Sequence, residues 1–230
     1  MQNSSDTWET ILNRVRKLAE ENKEIQNVDH PNGGGCIVMP GDQEEPLERS
    51  PEEKSSWLLR CSGVPKKYCE CSFENFTGNE KLTEYLKTLS YGEDSIVLYG
   101  GPGCGKTHLA AAIMRHTQSG FFVGVPELLL RIRDSFNDSS KCTEKEIIDE
   151  YSQKPFLTLD DLGAEKTTEY SITTLYLILN KRINDGLKTV ITTNLSVPQL
   201  SSALGERIGS RISSMNIVKI NMPDYRKRRQ

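Results

Sequence analysis

Gly100-Gly101-Pro102-Gly103-Cys104-Gly105-Lys106-Thr107 fits G-x-x-x-x-G-K-[ST], the spacing of a phosphate-binding loop. An apolar run over residues 95–99 precedes it and a helical period from Lys106 to Thr117 follows it, so strand, loop and helix stand in the order the mechanism requires. Glycines let backbone N–H groups curl around phosphate oxygens, and the start of the helix adds partial positive charge. In that geometry Gly101, Pro102, Gly103, Cys104, Gly105 and His108 line the cradle and Lys106 reaches the β and γ phosphates, while the Thr107 hydroxyl ligates a metal. ATP with Mg²⁺ is the implied cofactor pair. The bland alternative is a glycine-rich turn followed by an incidental Lys-Thr, and the agreement of strand, spacing and helix weighs against it.

Outward from the loop, short apolar runs alternate with helical periods, the pattern of βαβ units and a parallel sheet. Strands are expected at 95–99, 120–125, 156–160, 188–193 and 216–221. Helices are expected at 106–117, 127–136, 143–152 and 169–185, with a broken helical region over 197–214. The fold class is therefore α/β: one five-stranded, doubly wound parallel sheet with helices on both faces.

Two more strand ends carry chemistry. Phe156-Leu157-Thr158-Leu159-Asp160-Asp161 closes an apolar strand with two carboxylates, the form of a second metal-site strand beside a phosphate loop. Asp160 would hold Mg²⁺ through water; Asp161, turned to the other side of the strand end, would orient or deprotonate the attacking water. The strand at 188–193 runs into Asn194, whose amide can bond a water or the γ phosphate without competing for the metal, although Asn is equally a turn former at strand ends. Farther on, Arg207 and Arg211 lie four apart on one helix face, either for chemistry or as a solvated face with salt bridges.

The rest of the composition excludes several classes. With 230 residues the chain can bury a sizeable core, and no apolar run approaches the roughly 20 residues of a membrane span. The N-terminus lacks the pattern of a signal peptide, so a cytoplasmic setting is expected. The cysteines, at 36, 61, 69, 71, 104 and 142, read as thiols: Cys69 and Cys71 are one residue apart, and Cys36 and Cys61 stand outside the C-x2-C pairs that zinc favours. A net charge of −3 argues against a wholesale polyanion binder, so any nucleic-acid contact must be a local patch.

The N-terminal quarter is organised differently. Trp8, Ile11, Leu12, Val15, Leu18 and Ala19 repeat at helical spacing behind an Asp6 N-cap and Glu9, which predicts an amphipathic helix within residues 1–23. Residues 24–58, rich in glycine, proline and carboxylates, read as a flexible acidic linker, and 59–230 as the nucleotide-binding domain. The apolar stripe of the first helix either docks on its own chain or binds a partner.

Taken together these residues resemble the AAA+ ATPases of the DnaC/DnaI helicase-loader group, with the IstB transposition ATPases as near relatives. The resemblance runs in order through residues 62–68, 71–76, the phosphate loop, 160–165, Thr192-Thr193-Asn194-Leu195, 204–211 and Asp224-Tyr225-Arg226, about three quarters of the chain. It implies that Lys106 and Thr107 are Walker A, Asp160 and Asp161 Walker B, Asn194 sensor 1, Arg211 an arginine finger presented to the next subunit, and Arg226 a sensor-2-like arginine. It places 71–76 beside the nucleotide base, leaving Cys69 and Cys71 no need of a metal, and 127–136, with Arg131, Arg133 and Phe136, toward single-stranded DNA. Core packing for Phe136 stays open. Three departures follow: Cys36 alone cannot make an N-terminal zinc element, the helical lid is minimal or absent, and Asp161 stands where Glu is usual, so intrinsic hydrolysis is expected to be slow.

The function so implied is an ATP-dependent DNA replication helicase loader, an ATPase binding ATP-Mg²⁺, single-stranded DNA and a replicative helicase, and assembling as a homo-oligomer. Alternatives are an IstB-type transposition helper, a small-molecule P-loop kinase and a non-hydrolysing nucleotide switch.

Overall fold

The computed structural model describes residues 51–137, 140–164 and 168–229. The helix expected within 1–23 and the linker as far as residue 50 lie outside the described residues. Strands β1 (Ile96–Gly100), β2 (Phe121–Gly124), β3 (Phe156–Asp160), β4 (Lys188–Thr193) and β5 (Asn216–Ile220) form one sheet in the order β2-β3-β4-β1-β5. Every pairing is parallel. The helices are α1 (Pro51–Cys61), α2 (Glu80–Tyr91), α3 (Lys106–Thr117), α4 (Val125–Asp134), α5 (Glu144–Gln153), α6 (Glu169–Asn184), α7 (Val197–Leu204) and α8 (Glu206–Ser213).

A parallel sheet buried on both faces needs strands that are apolar on both sides, and the side-chain period of two then sorts each strand between two cores. Ile96 and Leu98 of β1 join Leu82 and Leu86 of α2 and Leu109 to Met114 of α3, whereas Val97 joins Leu128 of α4, Leu175 and Ile178 of α6 and Ile208 of α8. Alanines 110 to 112 are buried, and their small side chains let α3 lie close to the sheet. Because β1 sits between β4 and β5, the loop that follows β1 emerges mid-sheet at the carboxyl ends of the strands, where open α/β sheets place their ligands.

Two arginines, Arg182 buried and Arg115 half-buried, bolt the layers together. Arg182 of α6 is fully buried with its Nε donating to Thr189 Oγ1 at 3.0 Å, Nη1 to the carbonyls of Tyr151 and Lys154, and Nη2 to that of Lys188. Burial lowers its pKa to about 10, and the carbonyls take the place of a counter-ion. Arg115 of α3 donates to the carbonyls of Cys71 and Cys69 and to Ser56 Oγ of α1, which ties the segment before α2 to the helix behind the phosphate loop.

Two helices depart from the expected organisation. Residues 51–58, expected in the linker, belong to α1: Leu59 packs into the α3 core, and Ser56 reaches Arg115. Helix α2 was not expected; Asn79 caps it by accepting from Leu82 N, and Leu82, Leu86 and Leu89 form its packing stripe. Elsewhere the expected strands and helices occur within one or two residues. After β5 the described chain makes a 3-10 turn, Tyr225–Arg229. Among the described residues no helix is long and apolar enough to cross a membrane; Cys69, Cys71 and Cys104 are thiols, whereas Cys142, expected as a thiol, is disulfide-bonded.

Candidate nucleotide site

Helix α3 starts without a side-chain cap: its N-cap is Gly105 at φ +95°, and the N–H groups of its first turn are left for an external acceptor. Glycine is required here on two counts. A Cβ on Gly105 would lie 2.6 Å from the Phe76 ring, and one on Gly103, at φ +72°, would lie 1.7 Å from Asp224 Oδ1. The loop is thus walled by Phe76 on one side and by the turn after β5 on the other. Tyr225 N donates to Gly103 O at 3.0 Å, and the hydroxyls of Thr77 and Tyr225 meet at 2.6 Å, joining the two walls.

Lys106 is buried, and its three ammonium protons are all engaged. Nζ donates to Gly100 O at 3.0 Å, Gly101 O at 2.8 Å and Asn194 Oδ1 at 2.7 Å. The site thereby joins the expected Lys106 and Asn194, which are 88 residues apart in sequence. Cys104 is buried beneath the loop with its Sγ 3.8 Å from the ammonium, while Gly101 and Pro102 are exposed. The His108 ring is turned away from the cradle. Its Nε2 donates to Ser72 O at 3.0 Å and its edge meets Phe76, which leaves the backbone N–H as the group His108 can offer an anion; burial lowers the pKa of the ring.

At the next strand end, Thr107 Oγ1 donates to both oxygens of Asp160, at 3.0 and 3.2 Å. Asp160 is buried, and burial foremost raises its pKa, against the hydrogen bond from Thr192; the neighbouring Asp161 adds to the rise. A buried carboxylate facing a hydroxyl is an all-oxygen pair that suits Mg²⁺, which takes few protein ligands and keeps several waters. Asp161 is exposed and occupies the left-handed region at φ +59°, so its side chain leaves the strand end in a different direction from that of Asp160. Among the described residues its carboxylate makes no hydrogen bond, as a proton acceptor for water requires.

The arginines stand apart from this cluster. Arg211 is half-exposed and Arg207 exposed on α8, and among the described residues neither side chain makes a hydrogen bond or ion pair. Arg226 is exposed on the turn that Tyr225 fastens to Gly103. In α4, Arg131 is engaged with the Tyr151 hydroxyl and Glu150 beside a cavity of about 460 Å³ lined also by Glu127 and Leu128, whereas Arg133 faces solvent. Phe136 is 55% exposed and edge-on to Tyr170, so it is not a core residue. Thr192 is the residue that sequence reasoning missed: it bonds both strand-end carboxylate residues, and nothing in its local pattern, Lys188-Thr189-Val190-Ile191-Thr192-Thr193, marks it.

Residues 43–230 match the model of the family described as IstB-like ATP binding protein. The replicative helicase loader DnaC of Buchnera aphidicola subsp. Baizongia pistaciae is 29% identical over 196 residues, 79% of this chain and 80% of its own. DnaC of Escherichia coli strain K12 is 26% identical over 181 residues, 73% of this chain and 74% of its own. Among solved structures, the DnaC helicase loader superposes with a TM-score of 0.62 at 24% identity, covering 68% of this chain and all of that one. DnaI does so with a TM-score of 0.57 at 27% identity, covering 70% and 93%.

Proposed function

Since the chain belongs to the family of IstB-like ATP-binding proteins and folds as an AAA+ P-loop ATPase, we propose that it is an ATP-dependent loader of a replicative DNA helicase. The observation that carries the ATP half is the meeting of Lys106, Thr107, Asp160 and Asn194 at the ends of β1, β3 and β4. The loader half is supported by relatives named replicative helicase loader that align over most of both chains.

In this reading the N–H groups at the start of α3 bind the phosphates, and Lys106 exchanges its carbonyl and Asn194 acceptors for β and γ oxygens. Thr107 and Asp160 would hold Mg²⁺, which when bound neutralises charge on the phosphates. Asp161 accepts the proton of the attacking water, and Asn194, released from Lys106, orients that water or the γ phosphate. Arg211 acts on the ATP of a neighbouring copy, consistent with a guanidinium on α8 that makes no hydrogen bond or ion pair among the described residues. Arg226 approaches the phosphates from the turn fastened to Gly103. Exposed Arg133 and Phe136 suit single-stranded DNA, which is held by phosphate neutralisation and base stacking. Residues 1–23 are the partner-binding element.

A transposition helper of the IstB type is the second reading, from the same family match. Affinity capture with the full chain from its source cell separates the two: a hexameric helicase supports the first and a transposase the second. Recovery of neither overturns both. Deleting residues 1–23 should leave ATP hydrolysis intact and abolish capture of the helicase.

A further inference from the structure

The turn after β3 is fastened to β4 chiefly by Thr192, with one further bond from Thr193. Thr192 is fully buried, and its hydroxyl donates to Asp160 Oδ1 at 2.6 Å while accepting from Asp161 N at 2.9 Å. Its carbonyl accepts from Leu162 N, also at 2.9 Å. A hydroxyl has one proton, and since the Asp161 amide is a donor, that proton can only go to the Asp160 carboxylate. A charged acceptor strengthens and shortens such a bond, as the 2.6 Å separation reflects.

The second contact bears on strain. Asp161 at φ +59° is in a region that an L-residue other than Asn or Asp rarely adopts, and even Asp does so only when its surroundings hold it. The two consecutive amides that follow Asp160 both point at Thr192, one to its hydroxyl and one to its carbonyl. The Thr192 hydroxyl therefore joins Thr107 in fixing the direction of the buried carboxylate, and with the Thr192 carbonyl it holds the backbone twist that sends the next carboxylate outward.

We infer that Thr192 is a positioning residue for ATP hydrolysis, fixing the metal-side Asp160 and the water-side Asp161 relative to each other through a single hydroxyl. Valine fills the same volume without donor or acceptor, so Thr192→Val frees Asp160 to turn toward Thr107 alone and leaves the Asp161 amide without its acceptor. The neighbouring Thr193 differs: its hydroxyl donates to Leu162 O at 2.7 Å and accepts from Leu195 N, and it hydrogen-bonds neither carboxylate residue.

The inference rests on the ATPase reading, and the test uses binding as well as turnover. A fluorescent ATP analogue is titrated into the full chain in EDTA and in Mg²⁺, alongside steady-state hydrolysis against Mg²⁺ concentration. Thr192→Val should bind the analogue in EDTA within twofold of the wild type, lose the tightening that Mg²⁺ brings, and lower kcat about 10- to 100-fold, the usual effect of removing an outer-shell partner. Thr192→Ser should restore both, and Thr193→Val should keep the wild-type Mg²⁺ response. If Thr192→Val does not fold, Thr192→Cys, with a weak donor of similar size, carries the same expectation.

Wild-type Mg²⁺ response and kcat in the folded Val or Cys variant would overturn the inference, as would a Ser variant no better than Val or a Thr193→Val variant equally impaired. Failure of the ATPase reading looks different: there the wild type itself binds no analogue in either buffer, and the assignment to Thr192 falls with it.

Discussion

Gly103→Ala should disrupt the contact between the phosphate loop and the turn after β5, and the structure sets the size of the effect. Holding an alanine at φ +72° costs roughly 1–2 kcal/mol. Its Cβ would lie 1.7 Å from Asp224 Oδ1 and 2.4 Å from Cγ, so the carboxylate must leave. Arg226 N then loses its bond to Asp224 Oδ1, and the bond from Tyr225 N to Gly103 O is strained, together roughly 1–2 kcal/mol. The single substitution therefore costs about 2–4 kcal/mol, summing these two contributions. Asp224→Ala alone loses one hydrogen bond, about 1 kcal/mol. In the double variant the clash is gone and only the backbone strain and the missing bond remain, so the two changes should couple favourably by about 1–2 kcal/mol. Urea unfolding of the wild type, both singles and the double, followed by circular dichroism, measures that coupling. Strict additivity to within about 0.5 kcal/mol, the ordinary scatter for independent sites, would refute the packing of Asp224 against Gly103.

Lys106→Ala should abolish ATP binding in equilibrium titration, because it removes the cation at the centre of the loop, and affinity retained at the wild-type level would reassign the site. Asp161→Asn should keep ATP affinity and slow turnover by about 10²–10⁴, the range for loss of a general base; equal turnover would move the base elsewhere. Asp160 has a raised folded-state pKa, so its contribution to stability is fully present below the ordinary carboxylate pKa and is lost as pH rises through the raised value. Asp160→Asn should accordingly raise the Tm of the nucleotide-free protein, by more at pH 7 than at pH 4.5 in calorimetric scans, and a Tm difference independent of pH would contradict the burial argument. Arg211→Ala should bind ATP and hydrolyse it poorly, and mixing it with Lys106→Ala protein should restore part of the activity. A mixture that co-assembles on single-stranded DNA yet stays inactive would rule out a finger acting in trans.

Much of the site was legible before the fold because its signals are local. The Gly100 to Thr107 spacing, the two carboxylates after an apolar strand and the amide at the end of β4 each lie within a few residues, and strand or helix period is enough to place them. All five strands were recognisable for the same reason: runs such as Ile96-Val97-Leu98 are apolar on both sides because both faces of the sheet are covered. Helix α2 also carried its signal, in Asn79 and the Leu82, Leu86, Leu89 spacing, but it lies before the first strand, where no βαβ alternation draws attention to it.

What tertiary structure alone decided is which strand ends become neighbours. The order β2-β3-β4-β1-β5 does not follow from any single segment, since each strand would be equally content beside several others; the crossovers and the two cores choose. That choice brings Asn194 to Lys106, sets Thr192 against Asp160 and Asp161, and lays Asp224 on Gly103. A threonine in a strand has the same local pattern whether its hydroxyl meets solvent, a carbonyl or a catalytic carboxylate, so the role of Thr192 comes only from the partner strand placed beside it. Arg182 is the same case in the core: its charge predicts a surface position, and only the backbone carbonyls of two stretches, 151–154 and Lys188, that converge on it make full burial possible.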